Sequence, residues 1–224
     1  MNFNNHHIWD DGSLLPWEEA TTHILTHALH YGSGVFEGIR AYDTGSGTAG
    51  FRMRDHFKRL HRSAAAYRMD LKWSVDDLFI AAKEVIGVNG FTSCYIRPIV
   101  FYETGALGLD TTHAGIRTAI AAWEWGAYLG DDGIRNGIRA RMASWRRFGA
   151  ASVPNAKATG TYINSILAKT EAVQDGYHEA IMLNAEGFVS EATGENLFAV
   201  GKGVVYTPPL SAGCLDGITR DSVI

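Results

Sequence analysis

The sequence predicts a two-domain α+β fold, and three observations carry that expectation. Strand-like and helical stretches are mixed without strict alternation, a glycine- and aspartate-rich stretch with no apolar period interrupts the chain at 126–137, and 224 residues exceed one typical domain. A doubly wound sheet would require regular strand–helix alternation, which the chain lacks. The expected organisation is an N-terminal α+β domain over 1–125, a linker at 126–137 and a C-terminal domain over 138–224.

The elements follow from local pattern. Alternation over 41–54 around Gly45-Ser46-Gly47, led by Asp43-Thr44, predicts a hairpin. The period then lengthens: Phe57, Leu60, Ala64 and Tyr67 recur every three or four residues, which places them on one helix face and leaves Arg59, Arg62 and Arg68 elsewhere on it. Ser74 ahead of Asp76-Asp77 reads as an N-cap with acids in the first turn, Leu78, Ala82, Val85 and Ile86 form the buried side of that helix, and Asn89-Gly90 ends it. Residues 94–101 and 117–125 are rich in branched and aromatic side chains and read as strands. Beyond the linker the pattern predicts a strand at 138–145, a helix at 162–175 and short strands at 179–183, 188–190, 196–200 and 204–206. A last helix opens at Gly217-Ile218-Thr219.

Composition narrows the function classes. A hydrophobic share of 46%, a charged share of 20% and a formal charge of −4 suit an ordinary soluble protein and give no electrostatic case for nucleic acid. Cys94 and Cys214 stand far apart and form neither a disulfide framework nor a zinc pattern, so the expected compartment is the cytoplasm. Residues 1–7 lack the apolar core of a signal peptide, and no apolar run approaches the roughly 20 residues that span a bilayer. His27 and His30 have no acidic or cysteine partner in sequence, so no metal is expected. The glycines between Tyr31 and Gly38 fit neither the dinucleotide fingerprint nor the P-loop. They suit the wall of a small pocket, with Tyr31 and Phe36 as apolar lining and Gly38 leaving space; core packing explains them equally well.

Lys157 stands out among the six lysines because Ala156, Ala158, Thr159 and Gly160 leave room for a ligand at its amine, although a solvated loop lysine is the alternative reading of the position alone. A lysine bonds to a carbonyl only as the free amine, a form that desolvation favours. Glu191, within Ser190-Glu191-Ala192-Thr193-Gly194-Glu195-Asn196, could keep a pyridine nitrogen protonated, the alternative being a solvated turn glutamate. Arg59 has the fork geometry for a phosphate, although an exposed helix arginine is an equal reading of it alone. Gly217, Ile218 and Thr219 would offer backbone N–H groups and a hydroxyl at a helix start, where phosphate is stabilised. An amine, a carboxylate and a phosphate cradle together suggest pyridoxal 5'-phosphate.

Seven segments in one order also resemble the class IV pyridoxal-phosphate aminotransferases, and within them the branched-chain amino acid type. They are His27-Ala28-Leu29-His30-Tyr31-Gly32 with Val35-Phe36-Glu37-Gly38-Ile39-Arg40, Arg59-Leu60-His61, Tyr95-Ile96-Arg97-Pro98, Trp125-Gly126-Ala127-Tyr128-Leu129-Gly130, Ala156-Lys157-Ala158, Ser190 through Phe198, and Gly217-Ile218-Thr219-Arg220-Asp221. The resemblance implies a smaller α+β N-terminal domain, a barrel-like C-terminal domain, the cofactor between them, and a homodimer or larger assembly of dimers. It implies that Lys157 bonds the cofactor and moves the proton, that Glu191 meets the ring nitrogen, that Tyr162 lies near the ring hydroxyl, and that Arg59, Gly217, Ile218 and Thr219 hold the phosphate. Tyr31, Phe36, Gly38, Tyr162 and Trp125 match the apolar lining; Tyr95, Arg97 and Tyr128 match positions near the substrate side chain, with Arg97 reading the distal carboxylate of 2-oxoglutarate. Leu109, in Gly105-Ala106-Leu107-Gly108-Leu109, matches the loop that reaches the neighbouring subunit's pocket. The implied reaction is a ping-pong exchange of an amino group between leucine, isoleucine or valine and 2-oxoglutarate. Relatives continue past the position of Asp221 with a Ser-Gly-Thr-Ala type turn, so an incomplete C-terminal domain is expected here. The competing readings are a D-amino acid aminotransferase or aminodeoxychorismate lyase, which would share Lys157 and Glu191, and a non-catalytic homologue acting by binding or dimerisation.

Overall fold

The computed structural model describes residues 6–126, 130–149 and 152–224. Its internal contacts divide the chain into two compact units, 1–125 with 156–160, and 126–155 with 161–224. Two segments thus fall differently from the sequence expectation. Residues 126–137, read as linker, group with the second unit and contain a short helix, Gly130–Asn136; residues 156–160, read as C-terminal domain, group with the first. The reason for the second is a set of backbone bonds described below.

The first unit contains β1 (His7–Asp10), β2 (Ser13–Pro16), α1 (His27–Tyr31), β3 (Gly34–Phe36), β4 (Ile39–Asp43), β5 (Thr48–Gly50), α2 (Met53–Ala66), α3 (Val75–Val88), β6 (Cys94–Tyr102) and β7 (Ile116–Trp123). Its antiparallel sheet has the order β2-β1-β7-β6-β4-β5, with β3 also paired to β6. Along β6 burial alternates strictly. Cys94, Ile96, Val100 and Tyr102 therefore face the core, while Tyr95 and Arg97 share the opposite face. Phe57 and Leu60 of α2 and Leu78, Ala82 and Val85 of α3 meet Ile39, Ile96, Val100 and Ile120 in that core. Each large apolar side chain buried this way contributes roughly 2 kcal/mol. Ser74 and Asp77 close a reciprocal capping box on α3.

The hairpin expected at 41–54 ends at Gly50, because Phe51 and Arg52 turn the chain into α2 and Arg52 is left-handed (φ 47°). The β1–β2 hairpin was not anticipated, although Asp11-Gly12 at its tip is a two-residue turn signal. A second feature depends on one residue. β3 pairs with 99–101 and β4 with 94–96, so the strand they would form together is interrupted at Glu37-Gly38, opposite Arg97-Pro98. Pro98 has no N–H to give to a ladder there, and it only accepts, from the N–H of Glu37 (2.8 Å).

The second unit contains α4 (Gly130–Asn136), β8 (Ala140–Arg146), α5 (Tyr162–Gln174), β9 (Glu179–Leu183), β10 (Val189–Ala192), β11 (Ala199–Gly201), β12 (Val204–Tyr206) and α6 (Ile218–Val223). β8 runs parallel to β9 and β10 antiparallel to it, while β11 and β12 form a separate hairpin. Ala168 and Ala172 of α5 pack on Ala143, Ala180 and Met182, and the four alanines bring helix and sheet close. The strand expected at 196–200 begins only at Ala199, since Asn196 is held elsewhere by its side chain. No helix among the described residues is long and apolar enough to cross a membrane.

Candidate active site

Lys157 is tied to the first unit through its backbone. Its carbonyl accepts from Phe36 N (3.0 Å), its N–H donates to Ser63 Oγ (3.2 Å), and the adjoining Ala158 bridges Val35. Gly160 N donates to Gly32 O (3.0 Å), and a Cβ on Gly32 would stand 2.7 Å from Gly160 Cα, so this close approach requires glycine. Lys157 is half-buried between buried Ala156 and Ala158, which sets it apart from a solvated loop lysine. Its Nζ lies 4.9 Å from the centroid of the Phe36 ring.

The same ring also meets a guanidinium. Arg97 Cζ is 4.9 Å from the Phe36 centroid, 5.2 Å from Tyr95 and 5.7 Å from Trp123, and Arg97 Nη2 donates to Tyr95 Oη (3.1 Å). Tyr95 packs edge-on against Trp125 at 4.7 Å. Gly38 faces this cluster: a Cβ there would stand 2.0 Å from Tyr95 Oη, so the space that glycine leaves is filled by the tyrosine. Tyr31 is exposed and donates to Leu107 O (3.0 Å), while His27, stacked on it at 4.6 Å, contacts Gly108 O through Nε2 (2.9 Å). Leu109, at the end of that loop, is 83% exposed. Tyr128 lies outside the described residues.

Arg59 is not displayed on the surface as its place off the apolar period of α2 had suggested; it is 5% exposed. Glu37, fully buried, is the cause. Glu37 Oε1 accepts from Arg59 Nε (2.7 Å), Oε2 accepts from Arg59 Nη2 (2.9 Å), and His56 Nδ1 sits 2.7 Å from Oε2. Burial alone would raise the carboxyl, but the hydrogen bonds and charges of Arg59 and His56 outweigh it and hold the pKa at about 2. His56, Arg59 and Ser63 follow helical spacing, so one polar flank of α2 holds both Glu37 and the backbone of Lys157.

In the second unit Glu191 lies on β10, next to a register shift between Val189 and Glu191, and the strand buries Ser190, Glu191 and Ala192 in succession instead of alternating. Its Oε1 forms an ion pair with Arg147 Nε at 2.7 Å, with the N–H not aimed at the oxygen, and its Oε2 accepts from Leu215 N (2.9 Å). Asn196 Nδ2 donates to Leu215 O (3.0 Å). The segment 190–196 thus grips residue 215 from both sides and fixes the start of α6. A Cβ on Gly217 would stand 1.8 Å from Asn196 Oδ1, so glycine leaves this amide its place at the helix start. Ile218 is buried and Thr219 exposed. Arg147, Tyr162, Glu191, Glu195, Asn196 and Leu215 line one cavity. Burial first, and the charge of Glu179 second, push the Glu195 carboxyl upward.

Sequence reasoning missed Glu37, His56 and Arg147 as partners of site residues. Glu37 could have been flagged as an acid inside an apolar run, whereas nothing in the sequence couples Arg147 to a residue 44 positions on. The residues fit a pyridoxal-type cofactor in one specific respect: a buried carboxylate, oriented by an arginine and a backbone N–H, lines a cavity together with a tyrosine. No group of three or more metal-ligating side chains occurs among the described residues.

Residues 34–224 match the family model described as amino-transferase class IV. The chain is 47% identical to the branched-chain-amino-acid aminotransferase of Pseudomonas aeruginosa, over 97% of this chain and 71% of that protein. It superimposes on the crystal structure of the Escherichia coli branched-chain amino acid aminotransferase with a TM-score of 0.96 at 44% identity, covering 98% of this chain and 73% of that one. The branched-chain amino acid aminotransferase of Thermobaculum terrenum, in its PLP-bound holo-form, gives a TM-score of 0.89 at 33% identity, covering 99% of this chain and 73% of that one.

Proposed function

The chain belongs to the class IV aminotransferases, and from that premise we propose that it moves amino groups reversibly between leucine, isoleucine or valine and 2-oxoglutarate. Its cofactor is pyridoxal 5'-phosphate, whose aldehyde carries the amino group and whose ring takes up electron density from the reacting carbon. The observation that carries this reading is the Glu191 carboxylate, fixed by Arg147 and the N–H of Leu215 at the wall of a cavity shared with Tyr162. A carboxylate so placed suits a protonated ring nitrogen.

The roles follow residue by residue. Lys157 would hold the aldehyde through Nζ, and its amine, when free, would hold the proton taken from the substrate α-carbon. Tyr162 orients the ring hydroxyl. Arg59 is assigned to the phosphate, as are, on their own element, Gly217, Ile218 and Thr219. Phe36, Tyr95 and Trp125 give the substrate side chain an apolar wall, Gly38 makes room for Tyr95 in it, and Arg97, held over three aromatic rings, receives the second carboxylate of 2-oxoglutarate. Tyr31 is assigned to the apolar lining, and Leu109 to the pocket of a second copy in a homodimer. The support is that Tyr31 and His27 tie the 107–108 backbone into one piece. We place the protein in the cytoplasm on the strength of two free cysteines, both buried.

The test is direct. Purified protein given pyridoxal 5'-phosphate is expected to acquire a borohydride-reducible absorbance and to form glutamate from leucine and 2-oxoglutarate. Lys157→Ala should lose both. An adduct that survives in Lys157→Ala would overturn the assignment of the lysine.

A further inference from the structure

We propose that Glu37 is a positioning residue for the cofactor phosphate, acting through Arg59; the inference rests on the assignment of Arg59 to that phosphate. Glu37 has no solvent exposure, so it cannot serve as a surface counter-ion. It takes the Nε–Nη2 edge of Arg59 with two hydrogen bonds, a pairing that fixes the plane of the guanidinium and holds its other N–H groups in one direction. His56 Nδ1 adds a third contact, to the same Oε2 that accepts from Arg59 Nη2.

The backbone makes this possible. Glu37 sits in the gap between β3 and β4, its N–H held by Pro98 O (2.8 Å), and its side chain turns inward to α2. There its pKa of about 2 keeps it ionised throughout the range in which the protein would work. A permanently charged, buried acid suits an orienting role and is a poor proton carrier, which needs a pKa near the working pH.

The readout is discrimination between pyridoxal 5'-phosphate and pyridoxal, which share every group except the phosphate. Both affinities are measured by absorbance titration of the full chain. Arg59→Ala tests the underlying reading, and it should lower the preference for the phosphorylated form at least tenfold. Glu37→Gln keeps shape and volume but cannot accept both guanidinium bonds, so the preference should fall at least fivefold while pyridoxal binds as before. If Arg59→Ala leaves the preference unchanged, the phosphate assignment itself fails. If Arg59→Ala lowers it and Glu37→Gln leaves it unchanged or raises it, the positioning role alone fails. Equal weakening of both ligands by Glu37→Gln would mark a structural role and also overturn the proposal. Should Glu37→Gln not fold, His56→Ala decides: a two- to threefold fall in the preference supports the role, and an unchanged preference rejects it.

Discussion

Glu37 in the first unit and Glu191 in the second are both buried carboxylates beside an arginine, but their surroundings differ. Glu37 is enclosed on all sides and receives the Arg59 fork and His56. Glu191 meets Arg147 through one nitrogen and Leu215 through one N–H, and it borders a cavity. The difference teaches that an arginine partner does not by itself distinguish a structural acid from a chemical one. Access does: the acid whose hydrogen-bonding capacity is taken up inside the protein orients its neighbours, whereas the acid left beside open space can meet a ligand.

The largest effect that would test this contrast is truncation. Glu37→Ala leaves a buried arginine without its counter-charge and should cost about 3–5 kcal/mol of stability. Glu191→Ala should cost about 2 kcal/mol, because water entering the cavity can solvate what remains. Urea denaturation of both variants would measure the gap, and an equal or larger loss for Glu191→Ala would erase the distinction.

Acid is the next probe. The Glu37 carboxyl is held at about 2 when folded, below its ordinary value of 4.5. Its contribution is therefore complete above about pH 4.5 and lost as pH falls toward 2, on the order of 3 kcal/mol over that window. The wild type should lose stability over this range more steeply than Glu37→Gln, as followed by circular dichroism at stepped pH. Parallel curves would show that the acid is not held down in the folded state.

The smallest test uses the two glycines that accompany these acids. In Gly38→Ala the new methyl meets the Tyr95 ring, which is wedged against Trp123 and Trp125, so overpacking should cost about 2 kcal/mol. In Gly217→Ala it meets the amide end of Asn196, which can rotate away at the loss of one hydrogen bond to Leu215, and comes to 3.2 Å from Arg220 Cβ, a smaller clash; together these cost about 1 kcal/mol. Melting temperatures of the two variants should keep that order.

How much of this was legible in sequence depended on the range of the interaction. Lys157 could be singled out from its small neighbours, and Glu191 from the turn-like residues after it, since both signals are local. The helix over Met53–Ala66 followed from its apolar period, yet the period also misplaced Arg59: it records which positions are apolar and is silent on a polar flank buried by an acid 22 residues earlier. The break in the sheet at Glu37-Gly38 was not readable either, because it arises from a proline on a partner strand 60 residues away. Helix α4 escaped notice because Gly130 and Gly133 lie within it and no apolar repeat marks it.

The docking of residues 156–160 onto β3 carries one further consequence. Lys157 is encoded inside the second half of the polypeptide but lodged in the first compact unit, so the two units are interleaved along the chain. A fragment ending at residue 125 would lack the piece that bridges Val35 and bonds the backbone of Phe36, and a fragment beginning at 126 would carry the lysine with nowhere to seat it. Neither half is a self-sufficient gene segment, and recombination between relatives at the apparent boundary would have to exchange those five residues as well.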